Sequence, residues 1–268
     1  MQEKPVHSLR FTYIGGPTVL MEIGSLRLLT DPTFEAAGYA YMAGPQVIRK
    51  TASPTLTASA LGLVDVVLLS HDQHGDNLDP AGRALLSQAT RTLTTPASAE
   101  RLRGNAQGVS PWQTVTLTDT SGLSLRVTAT PARHGPAEVQ HATGDVTGWL
   151  LEWGYEPGDT LYISGDTVLF EGLEEVARRF PVAVALLHFG AAQAERFGPV
   201  SITLTASEGA QVAALLGEAL IIPIHYEGWT HLTEGREEIE RAFLAAGREK
   251  QLRFLSPGQP ISLDLSHR

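Results

Sequence analysis

Val64–Asp79 reads VDVVLLSHDQHGDNLD. A short apolar run, Val64 and Val66 to Leu69, stops at Ser70, and the residues after it supply His71, Asp72, His74, Asp76, Asn77 and Asp79. A run this short, closed by a polar loop, fits a strand buried on both faces. Such a strand delivers its loop to the carboxyl edge of a sheet, where α/β proteins place their sites. Imidazoles and carboxylates gathered at such an edge are costly unless something pairs with them, and a metal ion satisfies both kinds of group.

Upstream, Leu9–Ile14, Thr18–Ile23 and Leu26–Thr30 are apolar runs broken at Gly15-Gly16-Pro17 and Gly24-Ser25, which predicts an antiparallel meander ending at Asp31-Pro32. Residues 34–54 have no clean period and read as a long loop of the kind that often serves as a lid. Ser53-Pro54 opens a short helix to Leu61. Downstream, Asp79-Pro80 is an N-cap and first-turn pair for a helix to about Ser87. Arg91–Thr94 reads as a strand and Ala97–Arg103 as a helix. Val115–Leu117, Leu123–Thr130, Thr147–Trp153 and Thr160–Ile163 follow as strands. The last third alternates: helix at Leu169–Arg179, strand at Val182–Leu187, helix from the Thr205–Glu208 capping box to Leu216, strand at Leu220–Ile224. Thr233–Ala246 is an amphipathic surface helix, and Phe254–Ser256 and Ile261–Leu265 are read as closing strands.

The totals set limits on function. The 268 residues are 43% hydrophobic and 18% charged, enough for a sizeable core. A net charge of −9, with pI near 5.5, argues against broad nucleic-acid binding. No cysteine is present, so any metal site must use nitrogen and oxygen ligands. No apolar stretch approaches a membrane span and the first residues lack a secretory h-region, so a cytoplasmic protein is expected. Strands followed by helices in each half predict an α/β (α+β) chain of two halves packed sheet to sheet, as one domain over 1–268.

Five segments end a strand with a potential ligand: the His71–Asn77 loop, His134, Asp166, His188 and His225. A lone strand-end histidine is more often a hydrogen-bonded structural residue. Five in one cysteine-free chain point to a metal centre, with zinc suited to imidazole and carboxylate, and manganese or iron also compatible.

These motifs also resemble a known family. SHDQHGDNLD (70–79), PARHGP (131–136), YISGDT (162–167) and IPIHYEGW (222–229), with YIGGPTVLMEIGSLRLLTDP (13–32) upstream, are similar in kind and order to the metallo-β-lactamase superfamily. The branch holding ascorbate-6-phosphate lactonase-like and N-acyl-phosphatidylethanolamine phospholipase D-like hydrolases is the nearest in pattern. The resemblance implies a four-layer αββα sandwich with one or two divalent ions at the sheet edges. It implies His71, His74 and His134 at a first metal, Asp166 as a bridge, and Asp76 and His225 at a second. The family's H-x-H-x-D-H motif is broken twice here. His71 stands one residue early, so either a bulge lets it serve or Asp72 takes its place. Asn77 stands where a histidine is expected, which leaves the second metal in question.

Other residues carry expectations beside bland alternatives. Asp31 would support a ligand histidine or simply cap a turn. Arg133, His188 and Trp229 would touch substrate, Arg133 favouring an anionic one. His141 and His231 flank the site motifs, His7 and His267 are terminal, and Trp112, Trp149 and Trp153 are core. The expected activity is hydrolysis of a small molecule's ester, lactone, amide or phosphodiester bond by metal-activated water, with Asp76 and His225 as catalytic groups. The rival is a non-catalytic metal- or ligand-binding protein with a degenerate motif; a nuclease is disfavoured by the acidic charge, and homo-oligomerisation is left open.

Overall fold

A computed structural model describes residues 9–120, 122–154 and 159–263. The glycine turns produce the expected meander of β1 (Leu9–Gly15), β2 (Thr18–Ile23) and β3 (Leu26–Thr30). The segment read as a structureless loop folds into a small hairpin, β4 (Ala40–Ala43) and β5 (Gln46–Arg49), pairing Tyr41 with Ile48. Its short polar strands lack the apolar alternation that would have marked them. The predicted helix before Leu61 is only a 3₁₀ turn, Ala58–Leu61, capped by Thr57.

The stretch at 64–79 supplies β6 (Val66–Leu68), whose residues are all buried, and α1 (Pro80–Leu86), capped by Asp79 and started by Pro80. Then come β7 (Arg91–Thr94), α2 (Pro96–Leu102) and β8 (Ala106–Gly108). β3, β6, β7 and β8 pair in parallel, with residues 31–65 crossing from β3 to β6, α1 from β6 to β7 and α2 from β7 to β8.

The second half gives β9 (Thr114–Thr118), β10 (Ser124–Pro131), the short α3 (Gln140–Thr143), β11 (Thr147–Glu152), β12 (Thr160–Ile163) and α4 (Glu171–Arg179). It continues with β13 (Val184–His188), α5 (Ala206–Leu215), whose capping box is present, β14 (Leu220–Ile224), α6 (Arg236–Ala245) and β15 (Ile261–Leu263). Phe254–Ser256 is not a strand: Phe254 packs edge-on to Tyr226 beneath the Arg236 guanidinium. Residues 264–265 of the predicted last strand, with His7 and His267, lie outside the described residues.

The strands form two main sheets, ordered β15-β1-β2-β3-β6-β7-β8 and β14-β13-β12-β11-β10-β9. Their inner faces share one core, in which Phe11, Met21 and Leu68 meet Val127, Trp149 and Leu186. Behind the second sheet, Leu173, Val176, Val212, Ile239 and Phe243 of α4–α6 cover its outer face. Behind the first, Leu85 and Leu86 of α1 cover Leu29 and Val67. The layers run helix, sheet, sheet, helix. No helix among the described residues is long and apolar enough to cross a membrane.

This architecture aims the strand ends at one place. β6 stops before Ser70, β10 before His134, β12 before Asp166, β13 at His188 and β14 before His225.

Candidate metal centre

Three imidazoles converge first. His71 Nε2 lies 2.9 Å from His74 Nδ1, and His134 Nε2 lies 3.1 Å from the same atom. Nitrogens this close cannot all be protonated; lone pairs must be among the groups that face this point. The opposite ring nitrogens show why they do. His134 Nδ1 is 2.7 Å from the Ile202 carbonyl oxygen, an obligate acceptor, so it carries the proton and leaves Nε2 bare. Ser70 makes the equivalent bond to His71: its Oγ donates to Asp31 Oδ2 at 2.9 Å and accepts from His71 Nδ1 at 2.8 Å. Asp31 is itself held by the Ser70 backbone N–H at 2.6 Å and sits in the left-handed region, φ 23°. Strain of that kind in a non-glycine residue tends to accumulate at functional sites.

Beside the triad lies an acidic group. Asp76, Asp166 and His225 each offer a ligand atom within 4.8 Å of the others, as do the triad histidines. Asp166 stands between the two groups, 3.7 Å from His134 Nε2 and 3.8 Å from His225 Nδ1. It is delivered by Gly165, whose φ of 62° and approach to the Thr147 carbonyl leave no room for a side chain. Asp76 Oδ2 lies 3.3 Å from His225 Nε2 and 2.9 Å from His231 Nε2, while Asp76 Oδ1 accepts a 2.6 Å hydrogen bond from the Tyr41 hydroxyl. His225, like Asp31, is left-handed, φ 58°, with its backbone N–H on the Gly16 carbonyl.

Electrostatics divide the two groups. Burial pushes His71 well below the ordinary imidazole value, and neighbouring His74 adds to it. Burial also lowers His134, and it takes His74 down to about 4 with help from His134. The triad is therefore neutral at pH 7 and able to ligate. On the other side, burial opposes ionisation of both aspartates but is overcome. His231 and His225 hold Asp76 well below the carboxylate range, and His225, His134 and His71 do the same for Asp166. His225 shows the reverse balance: burial opposes its charge, yet Asp166 and Asp76 raise it to about 9.

The structure sorts the sequence expectations. His71, not Asp72, faces the triad, because the chain takes an extra residue between His71 and His74. Asp72 turns away to accept from Arg101 Nε at 2.9 Å and to lie 3.8 Å from Arg83. Asn77 is buried, and its Nδ2 reaches Asp31 Oδ2 at 3.4 Å and Asp166 Oδ1 at 3.3 Å. Three residues expected to touch substrate have partners within the protein. His188 is fully buried, with its ring nitrogens at Asp31 (3.2 Å) and Ser164 (3.3 Å), behind the centre. Arg133 stacks over Phe170 and lies 3.5 Å from Glu171. Trp229 is covered by the hairpin, edge-on to Tyr41 at 5.8 Å with Lys50 over its ring. Sequence reasoning missed Tyr41 and the buried Lys50–Asp79 pair, at 3.3 Å, both of which join the hairpin to the central loop. The one available signal was the length of the 34–54 segment.

The residues present fit a divalent ion. Asn77 Oδ1, Asp166 Oδ2, His225 Nε2 and His231 Nδ1 are buried with no hydrogen-bond partner among the described residues. Unsatisfied atoms of this kind are rare and need a ligand, an ion or water to account for them. Neutral imidazoles with tethered far nitrogens are the usual form of metal-ligating histidine.

The centre opens on one side only slightly, at His74. A cavity of about 520 Å³ there is lined by His74, Gln73, Tyr41, Arg101, Arg196 and His141, among others. Arg101 is neutralised by Asp72. The exposed Arg196 stacks on Phe197 and donates to the Ala142 carbonyl at 3.1 Å, with no carboxylate partner among the described residues.

Comparison with known proteins agrees with this geometry. The family model described as a beta-lactamase superfamily domain matches residues 26–226. A curated relative from Pyrococcus furiosus, named a UPF0173 metal-dependent hydrolase, is 25% identical over 258 residues, 95% of this chain and 100% of that protein. Among solved structures, a possible metal-dependent hydrolase from Veillonella parvula superposes with a TM-score of 0.80 at 22% identity, covering 95% of this chain and 99% of the other. An isothiocyanate hydrolase from Delia radicum gut bacteria gives 0.79 at 21% identity, covering 96% and 99%. At these identities the structures establish a shared fold.

Proposed function

Starting from the fact that the chain belongs to the beta-lactamase superfamily, we propose that it is a metal-dependent hydrolase of a small molecule, acting as one domain. The observation that carries this reading is the triad: His71 Nε2 and His134 Nε2 each lie within about 3 Å of His74 Nδ1, with the far nitrogens of His71 and His134 tied to acceptors. His71, His74 and His134 would hold a first ion, and Asp76, Asp166 and His225 a second, with Asp166 between them. Nitrogen and oxygen ligands suit zinc first, then manganese or iron. When bound, such an ion lowers the pKa of a coordinated water towards 7 and withdraws charge from the bond under attack.

The chain's own groups supply the rest. Asp76 is ionised, and the Tyr41 hydroxyl fixes its orientation; when it is not ligating a second ion, it is placed to orient an attacking water or accept its proton. His225 holds a proton between two carboxylates in the metal-free protein, and that proton must leave when the imidazole becomes a ligand. Substrate meets the centre through the cavity at His74. There Arg196, rather than Arg133, is the cation free to pair with an anionic ester, lactone, amide or phosphodiester.

Asn77 favours one rival, a non-catalytic metal- or ligand-binding protein, because its amide is committed to two carboxylates. Metal analysis of purified protein, then a hydrolysis screen over those bond types with and without chelator, tests the reading. Bound metal with chelator-sensitive turnover is expected. Protein without tightly bound metal, or turnover indifferent to chelator, would overturn it.

A further inference from the structure

We propose that His231 is a ligand of the second metal position and replaces the imidazole absent at Asn77. This rests on the reading of the centre as a metal site.

Asn77 brings no imidazole to the place, and its buried, unpartnered Oδ1 is an amide oxygen, a poorer ligand for zinc. Its two near neighbours, Asp31 Oδ2 and Asp166 Oδ1, only accept hydrogen bonds, so the amide nitrogen must face them. Rotating the amide would set its oxygen against two carboxylates. Asn77 therefore ties Asp31 to Asp166, and the acidic group is left with His225 as its one imidazole.

His231 brings a further imidazole to Asp76, beside rather than within the group of Asp76, Asp166 and His225 whose ligand atoms lie within 4.8 Å of one another. Its side chain is 3% exposed, and Nε2 lies 2.9 Å from Asp76 Oδ2, the same oxygen that lies 3.3 Å from His225 Nε2. Its Nδ1 is buried without a partner among the described residues. The backbone that presents His231 is fixed on both sides. The Thr230 N–H bonds the Arg49 carbonyl of the hairpin at 3.0 Å, and the His231 carbonyl accepts from the Gln193 N–H at 3.0 Å. A ligand carried on a clamped loop keeps its geometry when a proton is exchanged for an ion.

The test is zinc titration of the metal-free protein by calorimetry, with X-ray absorption on the loaded protein to count imidazoles. Three variants are compared: His231→Ala, His231→Gln, and His231→Gln combined with Asn77→His. Glutamine keeps a donor for Asp76 Oδ2 but offers no imidazole. The wild type is expected to bind two equivalents. Both single variants should keep the first and weaken the second by more than about 100-fold, beyond the 10–100-fold that a lost supporting hydrogen bond costs. The absorption count should fall by one imidazole, and Asn77→His should restore the second equivalent. A second equivalent retained in His231→Gln, or weakened less than that, overturns the proposal, as does an unchanged imidazole count. Those outcomes leave the first equivalent, and the reading of the centre, standing. Failure of the wild type to bind any zinc removes both, and His71→Ala, which should lose the first equivalent alone, tells the cases apart.

Discussion

The two sides of the centre are about equally buried, yet they reach opposite charge states. The triad has no anion in direct contact with His71 or His74, so burial keeps its imidazoles neutral. The other side packs two carboxylates around His225, and their fields overcome the same burial. The lesson concerns readiness. The triad can take an ion as it stands, whereas the acidic side must first exchange a proton. The two positions should therefore fill in sequence, the triad first.

Removing a triad ligand should break the comparison most severely. His71→Ala is expected to lower kcat/KM by more than about 10³-fold, since several kcal/mol of charge stabilisation is at stake. Metal content and steady-state kinetics check it.

The pH dependence of the metal-free protein separates the sides next. His71, His74 and His134 bind protons less readily folded than unfolded, so their contribution to stability is lost as pH falls below about 6.5, that of His74 through about 4. His225 binds its proton more readily folded, so its contribution is complete below about 6.5 and is lost as pH rises through about 9. Thermal melts should therefore peak between these limbs, and the alkaline limb should shrink once zinc replaces the His225 proton. A flat profile from pH 7 to 9 without metal would contradict the assignment.

Smaller effects sharpen the picture. Lys50→Met leaves Asp79 buried without its cation and should cost about 3 kcal/mol in a denaturant titration. Ser70→Ala cuts the bridge from Asp31 to His71 and should weaken triad zinc binding about 10–100-fold, leaving the second position less affected. Arg196→Ala, at the mouth, should raise KM about tenfold for an anionic substrate and leave a neutral one unchanged. Arg133→Ala should do neither.

The sequence was legible where periodicity and punctuation act locally. The buried strand before Ser70, the Asp79-Pro80 start and the Thr205–Glu208 box all fold as their residues predict. The bulge after His71 was open between two readings, because register depends on Arg101, 29 residues away, drawing Asp72 out. Tyr41 was not legible at all. Its strand has no alternating pattern, and its role comes from a contact 35 residues distant. Arg133, although next to His134 in the chain, lies over Phe170 and beside Glu171, in surroundings different from its neighbour's.

Gly75 has a wider consequence. A Cβ there would stand 2.7 Å from the Tyr41 ring, so the hairpin rests directly on the ligand loop. The same ring carries the hydroxyl that holds Asp76. Lifting the hairpin away from the loop therefore releases Asp76. By thermodynamic reciprocity, whatever engages Asp76 would also act on the hairpin's hold on the loop. Access to the cavity and affinity at the second position would then be one linked quantity, transmitted through the close approach that Gly75 permits.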